Sequence, residues 1–221
     1  KAVEEDICEA DVVIYVISRI SGEGKDRRKV KGDYYLSERE EEDLRYLAEM
    51  NKPVILILNA GGPVELTDIL EQTDNIKGIL NISQLGQEGG DALADVLLGK
   101  EVPGGKLTTT WARRYEDYPA SEEYGYLNGN LEKEKYKEGI YVGYRYFDSF
   151  DKKVMFPFGF GLSYTTFEMK CCSINMEESK IRAEVQVTNT GNEYAGKEVV
   201  QIYVTLPQTE LEKEYKRLAG F

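Results

Sequence analysis

Three short apolar runs set between amphipathic stretches place the tightest constraint on the fold. They are residues 12–17 (VVIYVI), 53–58 (PVILIL) and 78–82 (GILNI). The first is unbroken and mostly β-branched, the pattern of a strand covered on both faces of a parallel sheet. Residues 1–10 read as the end of a helix with Ala2, Val3, Ile7 and Cys8 on one face. Ser37 followed three residues later by Glu40 is a capping box. It opens a helix running to about Met50, with Leu44 and Leu47 inward. After the third run, the GQEGG of residues 86–90 leads into an amphipathic helix with Ala92, Leu93, Val96 and Leu97 inward, closed by Gly99. Strand and helix alternating at this spacing predict a parallel α/β sheet with right-handed crossovers.

In open α/β sheets, ligands sit outside the carboxyl ends of the strands. Ser21-Gly22-Glu23-Gly24 follows just past such an end, which makes Glu23 a site candidate. Glycines on both sides let the chain turn sharply around it. A glutamic acid can protonate a leaving oxygen near neutral pH when apolar surroundings or a nearby negative charge raise its pKa. A solvated turn accounts for the same residues. The run superficially imitates a phosphate loop, but that motif needs a glycine where Arg19 stands and Ser or Thr where Asp26 stands. No GxGxxG fingerprint follows a strand either.

The chain has 221 residues, enough for one or two domains. Forty acidic against 28 basic residues give a formal charge of −12, which argues against nucleic acid or an anionic membrane as partner. Histidine is absent, removing Ser-His-Asp catalysis, HExxH zinc sites and any histidine base. Three cysteines, two of them adjacent at 171 and 172, make neither a disulfide framework nor a zinc site. No metal or cofactor is expected. Free thiols slightly favour the cytoplasm, with the compartment otherwise open. No stretch reaches the ~20 apolar residues of a membrane helix. Lys1 is not an initiator Met and the chain opens within a helix, so residues are expected upstream. The acidic group Glu38, Glu40, Glu41, Glu42 and Asp43 reads as a solvated first turn favoured by the helix dipole.

From about residue 103 to 158 the periodicity fails, and tyrosines accumulate at 115, 118, 124, 126, 136, 141, 144 and 146. Packing of these amphipathic rings against the sheet domain is the simpler expectation. Stacking on sugar faces is the alternative. Then Ile181, Ala183, Val185 and Val187 alternate, Asn189-Thr190-Gly191 makes a turn, and residues 199–204 read as a strand. This is antiparallel sandwich patterning. A sandwich of the immunoglobulin kind takes about 100 residues and seven strands, so a partial one is expected here.

The strings SRISGEGKDRRKVKGDYYLS, NAGGPVE, LGQEGGDALADVLLGK, GGKLTTTW, YKEGIYVGYRYFD and FPFGFGLSYTTF occur in order along nearly the whole chain. They resemble the C-terminal part of glycoside hydrolase family 3, the β-glucosidase family. The resemblance implies an incomplete three-layer α/β sandwich with a parallel sheet, followed by a partial antiparallel β-sandwich of fibronectin type III type. The expected division is 1–120 for the sandwich with its acid/base loop, 121–165 for a Tyr-rich connector packed on it, and 166–221 for the fibronectin-like part. The resemblance also implies a retaining exo-acting β-glycosidase whose general acid/base is Glu23, while the Asp nucleophile comes from a TIM-like barrel. Asp26 and Arg27 fall on the family's Asp-Arg pair and are candidates for substrate binding or for bracing the loop. Gly159 and Gly161 answer to backbone packing. Lys25 stands where relatives commonly carry an aromatic, and residues 102–108 (VPGGKLT) depart from the family's usual NPSGKLP.

No barrel and no nucleophile segment occur in these residues. The expected partners are therefore a β-glycoside or oligosaccharide substrate and a missing barrel domain of the same enzyme, and this chain alone is expected to be inactive. The SGEG-type loop leans towards β-glucosides or β-xylosides. A non-catalytic carbohydrate-binding or scaffolding module is the other reading, with the tyrosines of 115–146 as its binding face.

Overall fold

A computed structural model describes residues 2–20, 26–124, 132–133, 135–207 and 209–221. The chain divides into two compact units that interleave along the sequence. The first comprises Lys1–Gly89, Trp111–Gly139 and Lys153–Met155; the second comprises Gly90–Thr110, Ile140–Lys152 and Phe156–Phe221.

The first unit is built on a parallel three-stranded sheet in the order β1 (Val13–Ser18), β2 (Val54–Asn59), β3 (Ile76–Asn81). Helix α1 (Ala2–Glu9) precedes β1, α2 (Glu38–Glu49) joins β1 to β2, and α3 (Thr67–Gln72) joins β2 to β3. Register runs Val13↔Val54 through Ser18↔Asn59, so β1 and β2 end level with each other at the carboxyl edge. The central strand carries the core: Val54, Leu56, Ile57 and Leu58 are at most 1% exposed. Each such side chain contributes about 1.5–3 kcal/mol by leaving water.

Coverage on both faces holds for β2 and not for β1. Ile17 is buried, but Ile14 and Val16 are 50% and 51% exposed. An apolar run reports a preference for burial; whether a face is covered depends on what packs on it, and among the described residues that face of β1 stays open.

Helix α2 forms where its capping box predicts. The Glu40 amide donates to the Ser37 hydroxyl at 3.2 Å, and the Ser37 amide donates to the Glu40 carboxylate at 2.8 Å. Leu44 and Leu47 face the core. The helix ends in a Schellman motif with Asn51 at φ +54°: the Lys52 amide donates to the Leu47 carbonyl and the Asn51 amide to the Ala48 carbonyl. Pro53 follows, and the chain passes directly into β2. A short two-stranded sheet pairs β4 (Trp111–Ala112) with β5 (Val154–Phe156).

In the second unit, α4 (Gly89–Leu97, all but its first residue) stops at a Schellman motif around Gly99, φ +70°. Leu93, Val96 and Leu97 are half-buried; Ala92, expected inward, is exposed. Helix α5 (Tyr144–Ser149) buries Phe147. Gly161 answers to packing as expected, because a Cβ there would collide with the Gly105 carbonyl. Gly159 sits at φ +80° against the Gln201 side chain.

The antiparallel part consists of two two-stranded sheets. One pairs β6 (Phe167–Glu177) with β7 (Lys180–Asn189), the other β8 (Ile202–Val204) with β9 (Arg217–Gly220). The strand expected over 199–204 is confined to its last three residues. Opposite pairs Met169↔Val187, Cys171↔Val185, Ile174↔Ala183 and Met176↔Ile181 put an apolar stripe on one face of the β6–β7 ribbon. A bulge at Cys172 keeps that stripe continuous.

Candidate active site

The carboxyl end of β1 leads into the segment singled out in the sequence. Glu23 belongs to residues 21–25, which lie outside the described residues. The stems on either side are described, and they are held by a dense polar cluster within the first unit.

On the incoming stem, the Arg19 amide donates to the Asn59 carbonyl at 2.9 Å, continuing the β1–β2 ladder. The Arg19 side chain is only 5% exposed. Its Nη1 and Nη2 make a bidentate pair with the two Glu40 carboxylate oxygens, both at 2.7 Å. Its Nε donates to the Asp33 carbonyl at 2.7 Å, and further bonds reach the Ser18 and Tyr35 carbonyls. Glu40 therefore serves twice, closing the capping box of α2 and pairing the arginine at the strand end.

On the outgoing stem, Arg27 pairs not with adjacent Asp26 but with Asp33. Its Nε donates to Asp33 Oδ1 at 2.7 Å and its Nη2 to the Asp33 carbonyl at 2.5 Å. Its Nη1 reaches the Gly62 and Pro63 carbonyls, just beyond β2, at 3.2 and 2.9 Å. The Arg28 amide donates to Asp33 Oδ2 at 2.8 Å. Asp26 is exposed, and the Tyr124 hydroxyl approaches its carboxylate at 3.5 Å. The structure thus engages all three Arg27 nitrogens with protein and leaves the Asp26 carboxylate at the surface.

Burial pushes the carboxyls of Asp33 and Glu40 up, but their hydrogen bonds more than offset it. Arg27 and the Arg28 amide hold Asp33 below the usual range; Arg19 and the Ser37 amide do the same for Glu40. Glu65 behaves oppositely. Its burial outweighs the Tyr115 amide and Arg114, and its carboxyl rises. A depressed folded pKa contributes stability that is present above the unfolded value, about 4, and is lost as pH falls through the folded value. The stability gap between wild type and Asp33→Asn is therefore expected to narrow as pH drops below about 4. Thermal unfolding of both at neutral and acid pH measures it, and a gap independent of pH would contradict the assignment.

Beneath the outgoing stem the tyrosines pack. Tyr34 meets Tyr115 edge-on at 5.0 Å, and both are buried. The Tyr118 hydroxyl accepts from the Ala112 amide at 3.1 Å and is hydrogen-bonded to Tyr34. Lys29 lies over the Tyr115 ring and pairs with Glu116. Tyr115 and Tyr118 are thus a foundation for residues 26–36 and not an exposed sugar platform. Tyr124 and Tyr136 are exposed, and Tyr126 lies outside the described residues. Tyr141, Tyr144 and Tyr146 belong to the second unit, where Tyr144 packs on Phe158 and Tyr203.

A cavity lined by Tyr35, Leu36, Glu41, Arg45, Glu65, Asp68 and Ile69 measures about 90 Å³. That is well below the ~300–1,000 Å³ of ligand pockets. Among the described residues, no group of three or more His, Cys, Asp or Glu is placed to hold a metal. Sequence reasoning missed Arg19 and Asp33. The available signal was an arginine on each side of a glycine-flanked glutamate, with an unassigned aspartate shortly after.

These features define a parallel α/β domain with a dense polar cluster at the carboxyl edge of its sheet, joined in sequence to an antiparallel β unit. Residues 1–144 match the Glycosyl hydrolase family 3 C-terminal domain, and the chain belongs to that family. It is 39% identical to β-glucosidase A of Butyrivibrio fibrisolvens, over 96% of this chain and 30% of that protein. Its fold matches β-glucosidase 3B from Thermotoga neapolitana, solved in complex with glucose, at a TM-score of 0.90 and 42% identity, covering 99% of this chain and 30% of that one. It matches the Kluyveromyces marxianus β-glucosidase, also solved with glucose, at a TM-score of 0.84 and 34% identity, covering 99% and 26%. The chain thus spans less than a third of the length of these relatives. The fold class is the parallel α/β sandwich with a fibronectin type III-like antiparallel region.

Proposed function

We propose that this chain is part of a retaining, exo-acting β-glycosidase of the β-glucosidase type, acting on terminal β-linked sugars. Glu23 is its general acid/base, and an aspartate from a TIM-like barrel outside these residues is its nucleophile. The observation that carries the reading is the bracing of both stems of the Glu23 loop at the carboxyl end of β1. The loop also lies within the residues matched to the family, and the relatives are named β-glucosidases.

The chemistry follows from two carboxyl groups about 5–5.5 Å apart across the sugar. Glu23 gives its proton to the departing glycosidic oxygen while the barrel aspartate attacks the anomeric carbon. The glycosyl–aspartate ester forms as the C–O bond to the aglycone breaks. Glu23, now a carboxylate, takes a proton from water, which attacks the same carbon and releases the sugar and the aspartate. Asp26, the exposed member of the Asp-Arg pair, is the one open to a sugar hydroxyl. Arg27 supports the loop.

The deciding experiment is azide rescue in the complete enzyme. Glu23→Ala is expected to lose aryl β-glucosidase activity and regain part of it with azide, giving a β-glycosyl azide. Undiminished activity in that variant would move the proton donor elsewhere.

A further inference from the structure

Resting on the reading of Glu23 as the acid/base, we infer that Asp33 is the positioning residue of the acid loop. It works through the two arginines that bracket the loop.

The geometry is convergent. Arg19 before the loop and Arg27 after it both donate to one atom, the Asp33 carbonyl oxygen, at 2.7 and 2.5 Å. The Asp33 carboxylate then fixes the outgoing stem twice more, taking Arg27 Nε on one oxygen and the Arg28 amide on the other. Each arginine also carries a second anchor on a different element. Arg19 is tied to Glu40 at the start of α2, and Arg27 to the Gly62 and Pro63 carbonyls beyond β2. Both ends of the loop are therefore referenced to one residue, and that residue is referenced to a helix start and two adjacent strand ends.

Charge supports the arrangement. Two guanidinium groups so close together would repel if left alone. Here each has its own carboxylate, Glu40 for Arg19 and Asp33 for Arg27. The side chains of Arg27 and Asp33 are 14% and 18% exposed, so solvent screens the pair little. Fixed stems matter because proton transfer requires the acid within hydrogen-bond reach of the departing oxygen, and a misplacement of about 1 Å can cost about a hundredfold.

Asp33→Asn keeps the shape and the carbonyl, removes the charge opposite Arg27, and sets either an NH2 against the Arg28 amide or one against Arg27 Nε. Arg27→Lys keeps the charge but loses the fork. In the complete enzyme, either variant is expected to lower kcat/KM about ten- to a hundredfold on an alkyl β-glucoside, whose departure needs protonation. The loss on 2,4-dinitrophenyl β-glucoside, whose leaving group departs without help, is expected to be much smaller. Equal losses on the two substrates, or no loss on either, would overturn the inference, since a merely structural residue does not sort substrates by leaving group. If Asp33→Asn fails to fold, Arg27→Lys carries the comparison. Glu23→Ala with azide is the parallel control. Rescue there, with Asp33→Asn and Arg27→Lys indifferent to leaving group, rejects the positioning role alone. A fully active Glu23→Ala rejects the acid/base reading and this inference with it.

Discussion

In the complete enzyme, Glu23→Gln lowers kcat/KM on an alkyl β-glucoside by about 10²–10⁴, the usual contribution of a positioned proton donor. On a dinitrophenyl β-glucoside the first step stays near the wild-type rate, because that aglycone leaves as a stable anion. The amide cannot activate water for the second step, so the glycosyl-enzyme accumulates and a burst of nitrophenolate precedes a slow steady state. Rapid mixing resolves the two phases. A variant equally slow on both substrates, with no burst, would mean that residue 23 supports the fold or binds sugar instead of transferring a proton.

Arg19→Met is expected to produce the largest stability change in the first unit. The guanidinium it removes is almost wholly buried, and Glu40 stays behind with a side chain only 15% exposed. Breaking a buried pair from one side costs about 3–5 kcal/mol. The Asp33 and Tyr35 carbonyls lose a donor as well. Hydrogen exchange of the β1 and α2 amides reads this locally, and protection should fall by about a hundredfold or more. Replacing both partners, Arg19→Met with Glu40→Leu, should recover part of the loss and not all of it, because Glu40 also accepts the Ser37 amide. Unchanged protection in Arg19→Met would show that the pair contributes nothing net.

Much of the first unit is legible in the sequence because its signals are local. The Ser37–Glu40 box and the spacing of Leu44 and Leu47 define α2 within a few neighbouring residues, and the run at 53–58 defines β2. What sequence leaves out depends on neighbours. Ile14 and Val16 look like residues covered on both sides, yet among the described residues they stay half exposed, because no layer packs on that face of β1. Arg27 looks like a partner for Asp26 until the chain folds back and brings up Asp33. Arg19 is marked in the sequence only by its place before the glycine-flanked glutamate; its pairing depends on the capping carboxylate of α2 lying beside the strand end. Strand β6 is hidden for another reason. Its alternation breaks at Cys171-Cys172, whereas β7 alternates without interruption.

That break has an arithmetic of its own. Along β7 the apolar residues Ile181, Ala183, Val185 and Val187 all carry odd numbers. Along β6 they begin odd, at Phe167, Met169 and Cys171, and finish even, at Ile174 and Met176. The supernumerary residue at 172 changes the parity, and the bulge that leaves it unpaired lets the two lists meet on a common side. Pairing Cys172 in the regular pleat, without the bulge, would turn Ile174 and Met176 to the side of Lys170 and Glu168, whereas deleting residue 172 would restore plain alternation and leave them beside Met169 and Cys171. In this hairpin the bulged backbone at 172 keeps the two lists together whatever side chain stands there, so a comparison that scores residue types alone would pass over it.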